Sequence, residues 1–146
     1  MSLLTASRTA QTPLVAEFSW NFDDTMVNDA GATVDFGESD ITESTFVVIP
    51  LPPGSVVTGG ALTRHVAFDT AGYDITVGDT ADEDEYLTTG DLKAVGTTAL
   101  VPTGLVNTSG LNIVMNITSD DVCTTGSATL RVEYVVVGRS CEVQIA

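Results

Sequence analysis

The chain has 146 residues, of which 43% are hydrophobic, and its 20 acidic and 5 basic residues give a formal net charge of −15 at pH 7. A chain of this length forms one domain, and this share of apolar residues excludes a disordered protein despite the charge. Nucleic acid and anionic membranes are excluded as partners because phosphate binding needs clustered Lys and Arg. The basic residues here are scattered singly: Arg8, Arg64, Lys93, Arg131 and Arg139.

The sequence contains no signal for a membrane span or for secretion. No stretch reaches the approximately 20 apolar residues that a spanning helix needs. The N-terminus lacks the basic start and the apolar run of a secretory signal. We therefore expect a protein that is made and kept inside a cell, or released from it by lysis.

Residues 1–12 are predicted to form a polar N-terminal arm ahead of a single domain at residues 13–146. The arm carries two leucines and one arginine: Leu3, Leu4 and Arg8. Leu3, Leu4 and Arg8 are candidate partner-binding residues, on an arm long enough to drape over a neighbouring subunit. A frayed terminus is the alternative interpretation.

The first part of the domain reads as two strands separated by an acidic loop. Residues 14–20 alternate, which places four apolar side chains on one face: Leu14, Ala16, Phe18 and Trp20. Residues 21–43 carry seven acids and are predicted to form a long loop, with a short strand at 33–36. Loops of this length are usually functional or mobile, so partner contact is one interpretation. Residues 45–49 form an apolar run ended by Pro50, as expected for a core strand.

Residues 55–68 are predicted to form a long strand that contains Gly59 and Gly60. Glycine inside a strand marks a bulge or a close approach of another backbone. We predict a bulge that curves the sheet, and keep as the alternative a second chain approaching at this point. Gly59 and Gly60 are therefore candidate partner-binding residues.

An acidic turn at residues 79–85 follows a strand predicted at 73–79. The calcium loop of helix-loop-helix proteins needs acids at positions 1, 3, 5 and 12 with Gly at position 6, and counting from Asp79 this pattern fails. We predict a solvated turn rather than a cation site. The segment 80–87 is the one place where a single helical turn is expected, and one or two short strands follow at 92–101.

The last part of the domain is predicted to be an antiparallel hairpin. Residues 111–117 place Leu111, Ile113, Met115 and Ile117 inward, and residues 128–136 alternate in the same way, with the connection at 120–126. About eight short strands spaced by turns indicate an all-β protein with little or no helix. The predicted fold is an antiparallel β-sandwich of jelly-roll or Greek-key topology, and the cysteine and tryptophan spacing of immunoglobulin domains is missing.

A search for catalytic chemistry yields no constellation. His65 is the single histidine of the chain, and alternation places it on an outer face. Cys123 and Cys141 flank a predicted strand whose ends lie roughly 30 Å apart, beyond the reach of a disulfide. We predict two unpaired thiols. No catalytic, cofactor-binding or metal-ligating residue is assigned, and we expect a protein that is not an enzyme.

One stretch, residues 51–92, has a distinctive order of turns and strands. A Pro-Gly entry leads into VVTGG at 56–60, AFDT at 67–70, ITVGD at 75–79, an acidic turn and YL at 86–87. This order resembles structural proteins of tailed-bacteriophage particles, especially capsid decoration (cement) proteins built on jelly-roll sandwiches. The chain departs from the family pattern at 82–85, which is wholly acidic where similar chains carry a basic residue.

The resemblance implies a non-enzymatic virion protein that binds the outside of a phage head and stabilises contacts between capsid subunits. Its implied partners are the major capsid protein and further copies of the chain, as a trimer. Its implied location is the capsid surface, after synthesis in the host cytoplasm. The alternative is a phage tail or host-surface module that binds carbohydrate. Such modules need exposed aromatic rings, and alternation places most of the aromatic residues of this chain in the core.

Overall fold

Eleven β-strands and no helix make up the part of the chain that the computed structural model describes, residues 13–38, 40–110 and 112–137. The side chain of Glu43 is not described. The strands are β1 (Leu14–Asn21), β2 (Thr25–Val27), β3 (Thr33–Asp35), β4 (Ile41–Pro50), β5 (Ser55–Val66), β6 (Asp74–Asp79), β7 (Leu87–Asp91), β8 (Gly96–Ala99), β9 (Val106–Asn107), β10 (Asn112–Ser119) and β11 (Ser127–Val136). The all-β prediction is confirmed. None of the described segments is a helix of the length and apolarity needed to cross a membrane.

The strands form two antiparallel sheets that face each other. The first sheet has the order β1-β11-β5-β8, with the short β9 also paired to β5, and the second has the order β4-β10-β6-β7. Along the chain, β6 and β7 are adjacent partners within one sheet, whereas β4 to β5, β5 to β6, β7 to β8 and β10 to β11 change sheets. Eight main strands arranged in this way form a jelly roll, as the sequence predicted.

The predicted hairpin of the last two long strands is wrong. β10 pairs with β4 and β6, whereas β11 pairs with β1 and β5, so the two strands lie in opposite sheets. The connection at 120–126 crosses the sandwich, a distance of about 10 Å between sheets. Two backbone hydrogen bonds hold this connection in place: Asp120 N donates to Ala71 O, and Cys123 N donates to Gly37 O. Alternation shows which side chains face inward but leaves the neighbouring strand undetermined.

The core lies between the sheets and is built by the inward residues of both. In β1 the predicted apolar face is confirmed, and its innermost member, Trp20, is 2% exposed. Aromatic pairs close the ends of the core, with ring centroids 5.2 Å apart for Phe36 and Phe46 and 4.5 Å apart for Phe68 and Tyr73. The Tyr73 hydroxyl donates to Phe36 O at 2.7 Å, so its burial leaves no unpaired hydroxyl.

The acidic segment at 21–43 is more ordered than a long loop. The short strand predicted at 33–36 is present as β3, and it pairs with β2 in a small hairpin that the sequence reading missed. Phe36 anchors this region in the core at 1% exposure. The core strand predicted at 45–49 begins earlier, at Ile41, and Asp29 N donates to Thr45 O at 2.9 Å along its edge.

Three further expectations are refined by the structure. The strand predicted at 55–68 ends at Val66, and the region 92–101 supplies β8. Residues 80–86 form a turn without helix, and Leu87 begins β7. The predicted arm at 1–12 and Cys141 lie outside the described residues, while Cys123 is a free, buried thiol.

Candidate interaction surface

The glycine pair singled out in the sequence lies in the middle of the first sheet. Gly59 faces Glu133 of β11, and the register then shifts so that Tyr134 faces Val57, which is the predicted bulge. Gly60 has a φ of +141°, and a Cβ atom there would overlap the Arg131 carbonyl oxygen. The close backbone approach that requires glycine is therefore made by the chain's own β11. Partner contact at Gly59 and Gly60 stays a prediction.

The outer face of the first sheet carries small hydroxyl and methyl side chains in rows across the strands. One row contains Ser19, Thr129, Thr63 and Thr97, which face each other in register on β1, β11, β5 and β8. Hydroxyl hydrogen bonds join Ser19 to Thr129 at 2.8 Å and Thr63 to Thr97 at 3.3 Å. The next row contains Ala61 and Ala99 beside Arg131. These two rows give the outer face a surface of small side chains across β5 and β8, and His65 of β5 is its large polar side chain beside Thr129.

Charge is distributed unequally between the two sheets. The strands of the first sheet contain two acids, Glu17 and Glu133, and two arginines, Arg64 and Arg131. The strands of the second sheet contain four acids, at positions 43, 74, 79 and 91, and no basic residue. In a chain with a net charge of −15, the first sheet is thus formally neutral along its strands. Another acidic protein surface approaches such a face with less repulsion.

β1 forms an open edge of the first sheet. It pairs with β11 on one side, and no other described strand pairs with it. An unpaired edge offers a row of N–H and C=O groups to an added strand. Val15 on this strand is 45% exposed, although it is apolar. The predicted partner-binding residues Leu3, Leu4 and Arg8 precede this edge in the sequence but lie outside the described residues.

His65 and Cys123 both form hydrogen bonds with neighbouring residues. His65 is exposed on the outer face, as predicted, and its Nε2 lies 3.0 Å from Thr129 Oγ1. The Cys123 thiol is buried and donates to Thr125 O at 2.9 Å and to Asp69 Oδ1 at 3.2 Å. Burial, followed by the bond to Asp69, raises the pKa of this thiol, which disfavours the reactive thiolate.

Asp69 fastens the crossing segment at 120–126 to the end of β5. Its carboxylate accepts the Thr124 hydroxyl at 2.5 Å and the backbone N–H groups of Thr124 and Thr125 at 2.8 and 3.2 Å. The bonds from Thr124, with that from Cys123, hold the pKa of Asp69 well below its usual range. This exposed carboxylate therefore stays ionised and acts as a clamp for the loop.

The acidic turn is only partly solvated, which corrects the prediction. Asp79 is 1% exposed, and its Oδ1 accepts the backbone N–H groups of Ala81 and Asp82 at 2.7 and 3.0 Å. Glu83 is exposed but bonds the second sheet through Thr45 at 3.2 Å and Asn116 at 3.2 Å. Within the described part of the chain, no three His, Cys, Asp or Glu residues are placed to hold a metal ion.

The concave features beside β2 and β3 are open and shallow. One of them is lined by Phe18, Trp20 and Phe36 together with Asp24. Trp20 and Phe36 are 2% and 1% exposed, so they present almost no ring face for a sugar to stack on. The prediction that most aromatic rings lie in the core is confirmed for Trp20, Phe36, Phe46, Phe68, Tyr73 and Tyr86.

Sequence reasoning placed the glycine bulge and the outward His65 but missed the open β1 edge and the difference in charge between the sheets. Both depend on strand order. The charges of each strand can be counted from the sequence, yet they add up to a neutral sheet and an acidic sheet only when the pairing is known. The burial of Asp79 had a weak signal, since it ends an apolar alternating strand.

Comparison with known proteins gives a match at the level of structure. No family model matches the chain, and no curated protein sequence matches it. A chain in the solved structure described as "Cyanophage Pam1 capsid asymmetric unit" superposes with a TM-score of 0.61 and 18% sequence identity. The match covers 92% of this chain and 94% of the cyanophage chain. The two chains therefore share the same fold over nearly their whole lengths.

Proposed function

We propose that this chain is a non-enzymatic structural protein of a phage virion, and more specifically a decoration (cement) protein on the outside of the head. The observation that carries the proposal is the structural match to a chain of a cyanophage capsid asymmetric unit, which spans 92% of this chain and 94% of the other. The likeness therefore extends over nearly the whole of both chains. The proposed partner is the major capsid protein.

The two sheets differ in a way that suits one of them to capsid contact and the other to solvent. The outer face of the first sheet carries rows of small side chains and is formally neutral along its strands, and it is the face we assign to contact with the capsid shell. The second sheet has an acid-only set of charged strand residues and faces water in this arrangement. Desolvating small hydroxyl and methyl groups costs far less than desolvating carboxylates, so the first sheet is the better docking face.

The open β1 edge and the arm at 1–12 give the proposal its clamping mechanism. Strand addition at β1 would supply main-chain hydrogen bonds to a neighbouring subunit, and Leu3, Leu4 and Arg8 of the arm would extend that contact. A closed trimer would present three such edges around a local three-fold position of the shell. Decoration of this kind adds interface area between capsid subunits and resists internal pressure.

The deciding experiment is quantitative mass spectrometry of purified virus particles. Digestion should use a protease that cleaves at acidic residues, because the chain has 5 Lys and Arg but 20 Asp and Glu. We expect a fixed ratio to the major capsid protein and hundreds of copies per particle. A handful of copies would instead move the chain to the tail or a vertex, and absence from particles would overturn the virion assignment.

Heat and osmotic shock of particles that lack the chain test the clamping step separately. We expect such particles to release DNA at lower temperature than decorated ones, with recovery when purified protein is added back. Unchanged resistance would contradict the stabilising role even if the chain is present in particles. Analytical ultracentrifugation of the purified protein tests the trimer.

A further inference from the structure

The acidic turn after β6 contains two buried carboxylate oxygens that lack a donor. Asp79 Oδ2 and Glu85 Oε2 each have no hydrogen-bond partner, although both atoms are shielded from water. The other oxygen of each carboxylate is satisfied: Asp79 Oδ1 accepts Ala81 N and Asp82 N, and Glu85 Oε1 accepts the Thr103 hydroxyl at 2.6 Å. Unpaired buried carboxylate oxygens are costly, so both need a donor.

The two side chains interact with each other at the base of the turn. The turn folds back onto its own strand, because Asp79 N donates to Asp82 O at 2.8 Å and Tyr86 N donates to Val77 O at 2.9 Å. Gly78 makes room for this return, since a Cβ there would overlap the Asp82 carbonyl oxygen. The segment 100–105 lies beside the turn, because Val101 N donates to Tyr86 O at 2.9 Å and Thr103 donates to Glu85.

No cation among the described groups faces this pair. The charged neighbours are the acids of the same turn, Asp82 and Asp84, which interact with each other, while Glu83 bonds Thr45 and Asn116. The covering segment 100–105 and the paired strand β10 contain no charged residue. Tyr86, the remaining titratable group, is buried and has a raised pKa, from burial first, then from the charges of Glu85 and Asp79, and last from a side-chain hydrogen bond to Glu85. Two ionised carboxylates would repel each other here.

We propose that Asp79 Oδ2 and Glu85 Oε2 bind one proton between them, as a carboxyl–carboxylate hydrogen bond that locks the turn. One shared proton gives each oxygen its missing partner and removes one of the two negative charges. The turn thereby becomes a proton-sensitive element, tight while the pair holds its proton and strained once the proton leaves. The proposal concerns the turn alone and does not depend on the virion role.

The direction in which folding stability changes with pH follows from the raised pKa of Glu85. Burial, followed by its contact with Asp79, raises the pKa of this carboxyl above the ordinary value of 4.5. The folded state therefore binds more protons than the unfolded state above that pH. Stability from the pair is complete below pH 4.5 and is lost as the pH rises through the folded pKa.

The test compares urea unfolding of the wild type and Glu85→Gln from pH 4.5 to pH 8. The glutamine amide can donate a hydrogen bond to Asp79 at every pH, while its carbonyl still accepts one from Thr103. We therefore expect the variant to keep its folding stability as the pH rises. The unfolding equilibrium constant of the wild type should rise relative to the variant by up to about tenfold per pH unit within the window. Asp79→Asn should behave in the same way. Asp23→Asn, an exposed charge loss elsewhere, should follow the wild type.

Carbon-13 NMR of labelled glutamate carboxyl groups gives a second readout that is independent of overall stability. We expect the Glu85 resonance to titrate above 4.5, and to titrate at a lower pH in Asp79→Asn than in the wild type, because burial remains while the contact with Asp79 is changed. The shared-proton proposal would be overturned if Glu85 titrated at its ordinary pKa, or if the stability of the wild type and of Glu85→Gln changed identically with pH. Stabilisation of the wild type by Ca²⁺ at pH 7, absent in Glu85→Gln, would also overturn it in favour of a bound cation.

Discussion

The outward side chains of the first sheet include rows of threonine, serine and alanine, with His65, around a few ion-paired charges, whereas the outer face of the second sheet carries an acidic polar network. Arg131 lies between Glu17 and Glu133 at 3.9 and 3.5 Å in the first sheet. On the second sheet, Glu83 accepts hydrogen bonds from Thr45 and Asn116, and the strands of this sheet contain no basic residue to balance its charge. Both sheets contribute apolar side chains to one core between them. The core thus accounts for the fold, and the contrast between the outer faces carries information about partners.

The largest expected effect separates the two glycines at the centre of the first sheet. Gly60→Ala should cost on the order of 3 kcal/mol, because a methyl group must overlap the β11 backbone at a positive φ. Gly59→Ala is the matched control, since its Cβ would meet a flexible carboxylate at 3.4 Å. Urea unfolding measures both. Equal losses of unfolding free energy in the two variants would show that the bulge, rather than the close approach of the β11 backbone, is what requires glycine.

A charge placed on each outer face should sharpen the assignment of the docking face. Thr97→Glu, on exposed β8 of the first sheet, should weaken binding to undecorated particles by about tenfold or more, because the new carboxylate is desolvated there. Thr89→Glu, on exposed β7 of the second sheet, should leave binding unchanged. Co-sedimentation with particles measures both, and a reversed pattern would exchange the roles of the two sheets.

Asn116→Ala tests the polar network of the second sheet. The substitution removes the amide that donates to Glu83 at 3.2 Å, and we expect a loss of about 1 kcal/mol in unfolding free energy. Asn112→Ala, on the same strand, is expected to cost less than about 0.5 kcal/mol. If both variants unfold like the wild type, the turn is held by its backbone bonds and by the buried Asp79 alone.

The smallest effect is expected at the ion pairs of the first sheet. Arg131→Gln should change the unfolding free energy by less than about 0.5 kcal/mol, because the pairs are solvent-exposed and screened. The same variant leaves two unbalanced acids on the outer face, so particle binding should become weaker at low salt and recover as salt is added. A stability loss above about 1 kcal/mol would contradict this interpretation.

Local patterns determined much of this protein. Alternation in β1, β6 and β11 fixed which side chains are buried, because the two-residue period of a strand is a property of the backbone itself. Gly59 and Gly60 marked the bulge correctly, and the lack of helical periodicity gave the all-β class. Composition alone set the acidic character of the whole chain.

Tertiary structure decided what depends on the choice of neighbours. Adjacency along the chain predicted that β10 pairs with β11, whereas in the structure the two strands lie in opposite sheets and their connection crosses the sandwich. The neutral outer face, the open β1 edge and the buried Asp79–Glu85 pair all follow from that arrangement. Each arises from residues far apart in sequence or folded back in a turn, so strand periodicity, which is local, carries no information about them.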